Sequence, residues 1–66
     1  MDDIDKLKHL LRHWAEHNAG HAETYLEWGK KAEDLGRNEL SEILLDIAGK
    51  TTEMNKLFEK AESLCR

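Results

Sequence analysis

In "KKAEDLGRNELSEILL", Lys30 to Leu45, a helical apolar pattern runs into a glycine and begins again a few residues later. Ala32 and Leu35 close the first pattern, and Gly36 follows where a left-handed C′ glycine belongs. Asn38 is placed to cap a second helix, whose first apolar residues are Leu40, Ile43 and Leu44. The segment therefore reads as helix, three-residue turn, helix.

Working back from the turn, apolar or aromatic residues recur at Leu35, Ala32, Trp28, Tyr25, Trp14, Leu11, Leu7 and Ile4. Alternating steps of three and four bridge the gap through His21 and Asn18, which makes one heptad seam. It predicts a helix over about residues 3–35, capped by Asp2 or Asp3, with acidic residues at the positive end of the helix dipole. Working forward, a second helix spans about 39–64, after a turn at 36–38. Its expected buried set is Leu40, Ile43, Leu44, Ile47, Ala48, Thr51, Met54, Leu57, Phe58, Ala61 and Leu64. That stripe is wider than one partner helix covers. The expected architecture is all-α: a single antiparallel two-helix hairpin domain over residues 1–66, dimerising into a four-helix bundle. Gly49, in "AGKTT", marks either a kink or a tolerated surface glycine.

Composition agrees with this. The chain has 66 residues, no proline, no valine, and 36% charged residues, a balance that favours helix over sheet. A net charge of −4 and the absence of a basic, aromatic-interleaved stripe argue against nucleic acid, and the charge also disfavours an anionic membrane surface. No window approaches a membrane span, and "MDDIDKLK" is not a signal peptide. The single cysteine, Cys65, excludes an intramolecular disulfide and suits a cytoplasmic protein, packed at a helix end.

All four histidines lie in "HLLRHWAEHNAGH", at His9, His13, His17 and His21. Each four-residue step advances a helix by about 6 Å and turns it about 40° past a full circle. The row therefore winds from solvent at His9 to the seam at His21, and at about 18 Å it is too long for one ion. Neighbouring imidazoles can chelate, and His17 with His21 is the best pair, with His13 as a third ligand. Glu16, three residues after His13, is a further candidate.

With the turn centred near Gly36 and Arg37, facing residues have numbers summing to about 73. Asn18 then faces Asn55, and His21 faces Thr52. Thr51, Thr52 and Asn55 interrupt the apolar face of the second helix at this height. A polar layer of this kind either sets register and oligomer state or supports a ligand site as outer partners of the histidines.

No catalytic motif accompanies the row. Asn18 stands where H-E-x-x-H needs its glutamate, the di-iron E-x-x-H order is reversed, and no phosphate loop, C-x-x-C pair or serine triad occurs. Imidazole-rich ligands point to nickel, zinc, cobalt or copper rather than magnesium or calcium.

The run "HWAEHNAGHAETYLEWGKKAEDLG", His13 to Gly36, resembles a small His-rich helical-hairpin domain with the pattern H-W-x-E-H-N-x-x-H-A. That domain occurs alone or appended to small nickel-binding proteins linked to carbon monoxide dehydrogenase maturation. The resemblance implies a metal-handling role for His13, Glu16, His17, Asn18 and His21, and leaves His9 outside the pattern. A metalloprotein client or a maturation partner is the expected kind of partner besides a second copy. The expectation is a homodimeric, cytoplasmic, non-enzymatic protein that binds nickel or zinc for storage, delivery or sensing. The rival expectation is an oligomerisation or protein-interaction module. In it the His, Asn and Thr layer is structural, or acts as a pH switch through mutual repulsion of protonated imidazoles.

Overall fold

Gly36 turns the chain, with φ at 77°. Its N–H donates to the Glu33 carbonyl and the N–H of Arg37 to the Ala32 carbonyl, both at 2.9 Å. These two bonds are the pair by which a Schellman motif satisfies the last carbonyls of a helix. The computed structural model describes residues 2–66. Among them it contains two helices and no strand: α1, Asp3–Asp34, and α2, Asn38–Ser63. The helices pack against each other along a rod about 52 Å long. The all-helical hairpin read from the sequence is therefore the fold.

At the start of α1 the Asp2 carboxylate accepts the Ile4 N–H at 3.2 Å, the expected cap. Asn38, in contrast, is the first residue of α2 rather than its cap. Arg37 occupies the capping position and makes no side-chain cap bond. The helix is unbroken through Gly49. Near the C-terminus the Cys65 thiol is free and half-buried, donating to the Ala61 carbonyl at 3.4 Å.

The larger correction concerns which side of α1 meets α2. Leu11, Ala22, Gly29 and Ala32 are buried, while Ala15, Asn18 and Tyr25 are half-buried. The row Leu11, Asn18, Tyr25, Ala32 belongs to the expected seam, but its companions are the small residues Ala15, Ala22 and Gly29. The expected companions Leu7, Trp14, His21, Trp28 and Leu35 are exposed. On α2 only Ser41 and Ala48 are buried, and Leu44, Thr51, Asn55 and Phe58 are half-buried beside them. Leu40, Ile43, Ile47, Met54, Leu57 and Leu64, expected inside, are exposed.

Close approach explains the choice. A Cβ added at Gly29 would stand 2.7 Å from the Leu45 side chain, and the Ser41 hydroxyl donates to the Gly29 carbonyl at 2.7 Å. Backbones that near to each other require small residues at the contact, whereas the Trp14–Trp28 row would hold the helices apart. Arg12 and Glu62 pair across the open end of the hairpin.

Candidate functional site

Midway along the rod, Asn18 reaches across the seam. Its amide donates to the Thr51 carbonyl at 2.6 Å and to the Asn55 Oδ1 at 2.5 Å. The pairing of Asn18 with Asn55 is the one expected from the turn. Thr51 and Thr52 do not join the layer through their hydroxyls, which donate within α2 to the Ile47 and Ala48 carbonyls. Such back-bonding satisfies a helical threonine without a partner helix. The result is a small polar layer of Asn18, Asn55 and the Thr51 backbone. Packing small residues around it leaves no buried side-chain nitrogen or oxygen unpaired among the described residues.

The histidines are elsewhere. His21 is exposed rather than opposite Thr52, because the rotation of α1 that buries Ala22 carries His21 out of the seam. The expected support of the histidines by Asn18, Thr51, Thr52 and Asn55 is therefore not formed, since those groups bond to one another or to their own helix. His13, Glu16, His17 and His21 instead line one shallow groove on the outside of α1, with Gly20 and Thr24. Gly20 has nothing within 4 Å of where its Cβ would be, so the groove floor is open. The Thr24 hydroxyl donates to the Gly20 carbonyl at 3.2 Å. His9 is exposed and does not line this groove, in keeping with its expected separation.

Within the groove the imidazoles form a line. The His13 and His17 centroids are 4.4 Å apart and edge-on, and those of His17 and His21 are 6.4 Å apart and tilted. The line continues into Tyr25, whose ring stacks on His21 at 6.1 Å and 16°. Two imidazoles on one tetrahedral ion, with metal–nitrogen bonds near 2.0 Å, would hold their centroids about 5 Å apart. The His13–His17 pair is closer than that and the His17–His21 pair wider, and His17 belongs to both. No group of three or more His, Cys, Asp or Glu residues among those described is already arranged to hold a metal ion. A single hairpin thus offers imidazole pairs rather than a closed site.

Sequence reasoning treated Tyr25 as a core aromatic and gave Gly20 and Thr24 no part in the site. The signal for all three was present, since Gly20, Thr24 and Tyr25 fall within one turn of His17 or His21 on the same helix. Trp14 and Trp28, also expected in the core, are exposed, and the Lys31 ammonium sits 4.4 Å over the Trp28 ring.

Residues 7–65 match the model of a family described as a domain of unknown function, DUF8180. An uncharacterized protein of Archaeoglobus fulgidus is 38% identical over 58 residues, covering 88% of this chain and 92% of its own length. No solved structure matches the chain. No helix among the described residues is long and apolar enough to cross a membrane.

Proposed function

This chain belongs to the DUF8180 family, and we propose that it is a small cytoplasmic protein that binds a transition metal, nickel or zinc first, through the histidine line of α1. His17 is the central ligand, His13 and His21 are its alternative or joint partners, and Glu16 is the nearby carboxylate. The observation that carries this reading is the line itself. Three imidazoles stand in one exposed groove, with successive centroids 4.4 and 6.4 Å apart. Imidazole nitrogen with one carboxylate suits nickel, zinc, cobalt or copper and is a poor set for calcium or magnesium. Exposed, paired ligands suit storage, sensing or transfer to a metalloprotein client, because an ion held by few protein donors is readily handed on.

The test is calorimetric titration of nickel and zinc at neutral pH into the wild type and into single alanine variants of His13, His17 and His21, with circular dichroism to establish that each is folded. Wild type should bind more tightly than about 10 micromolar, roughly 7 kcal/mol. His17→Ala should lose the most affinity, because it removes a ligand from both pairs. Weaker binding by wild type, or equal binding by His17→Ala, overturns the reading.

A second reading has its own observation. The hydrogen bonds from Asn18 to Thr51 and Asn55 tie the two helices at one height, as a register pin does. In that reading the chain is an oligomerisation module and the polar layer is structural, whatever the histidines bind.

A further inference from the structure

The hairpin leaves most of its large apolar side chains outside. The buried apolar residues are Leu11, Ala22, Ala32 and Ala48, and no large side chain among those described is fully buried. A monomer of this kind has little to set against the entropy of ordering its chain.

The exposed apolar residues are sorted by side. A groove between the helices is lined by Ala19, Ala22 and Leu26 of α1 and by Leu45, Ala48 and Thr52 of α2, so these rows share one side of the hairpin. At 100° per residue, the rows containing Trp14, Trp28, Ile47 and Met54 fall on the opposite side of the two seam rows. Along α1 that side reads Leu7, Trp14, His21, Trp28, Leu35, and along α2 it reads Leu40, Ile47, Met54, Ala61. Neither row contains a charged residue in a chain that is 36% charged. Aromatic and methionine enrichment with depletion of charge is the composition of an interface centre.

We infer that a second copy of this chain covers the Trp14–Trp28 and Ile47–Met54 face, completing a four-helix bundle, and that the Ala19–Leu45 groove stays outside it. The area fits. The hairpin exposes 5362 Å², whereas a compact monomer of its mass exposes about 4,300 Å². Covering an excess of about 1,000 Å² on each of two copies buries about 2,000 Å² in total, where obligate homodimers begin. Two helix pairs whose facing rows carry no charged residue, with Lys31 at the margin over Trp28, also meet the packing rule for such bundles when placed face to face, and a symmetric pairing needs no other partner. This inference does not rest on metal binding, and of the three imidazoles in the α1 groove it places only His21 in the covered row, leaving His13 and His17 outside it.

The test uses the full chain in chelator, by sedimentation and light scattering. Wild type is expected at twice its 7.7 kDa mass. Ile47 and Leu26 are equally exposed in the hairpin, at 40% and 42%, on opposite sides. Ile47→Glu should weaken the dimer by about a hundredfold or more, the effect of a central interface residue. Leu26→Glu should leave it within about threefold, as a site outside the interface does. If Ile47→Glu fails to fold, cross-linking replaces it. In a Cys65→Ser background, Met54→Cys chains should form disulfide dimers, alone if the copies run antiparallel or with His21→Cys chains if the turns lie at the same end. Thr52→Cys, at nearly the same height on the groove side, should not. A wild type that stays monomeric, that instead binds phospholipid vesicles through this face, or that loses its dimer to Leu26→Glu and not Ile47→Glu overturns the inference.

Discussion

Trp28 and Gly29 are neighbours in sequence, and the two sides of α1 differ as they do. The Gly29 side carries Ala15 and Ala22 and is packed on α2. The Trp28 side carries Leu7, Trp14 and Leu35 and is exposed, Trp28 itself by 54%. The side with more apolar surface is the one left open by the intrachain contact. What decides the contact is shape, since small residues let two backbones approach until Ser41 reaches the Gly29 carbonyl. Large side chains bury more area, but only against a surface wide enough to receive them, which one helix is not.

The sharpest way to break this comparison is to make Gly29 resemble its neighbour. Gly29→Leu should drive the Leu45 side chain and α2 away and destabilise the fold by about 2–3 kcal/mol, the upper part of the range for overpacking. Urea unfolding followed by circular dichroism measures it, and an unchanged midpoint would mean that the seam is looser than its geometry. Next comes the polar layer on that seam. Asn18→Ala strands a half-buried Asn55 amide and should cost about 1–2 kcal/mol. Asn18→Ala/Asn55→Ala together should cost less than the sum of the singles, because the pair shares a bond. Strict additivity would sever the link between the two residues. Smallest is Gly49, a helix glycine with open space where its Cβ would be. Gly49→Ala should stabilise by about 0.5–1 kcal/mol through propensity and a less free unfolded chain. The opposite sign from Gly29→Leu would show that only the close contact, not the residue type, needs glycine.

Much of this was legible beforehand. Asp2, Gly36 and the threefold and fourfold apolar steps announced two helices and the turn between them, because caps and periodicity are local properties of the backbone. The facing of Asn18 and Asn55 followed from the turn. The histidine line was also visible, since four-residue spacing on a helix makes neighbours whatever the helix packs against. His21 and Thr52 were misjudged for a single reason. The Leu11, Asn18, Tyr25 and Ala32 row is flanked by two candidate rows, and hydrophobicity favoured the one with Trp14, His21 and Trp28.

By itself, then, the sequence determined the helical hairpin, its register and the line of neighbouring imidazoles along α1. These depend on hydrogen bonding and turn geometry within a few residues. Only the tertiary structure decided which flank of α1 lies against α2, and with it that His21 faces outward and that the tryptophans form a surface. An apolar pattern records how much a residue gains from leaving water, not which neighbour removes it, and the close approach at Gly29 and Ala22 is a property of two helices together.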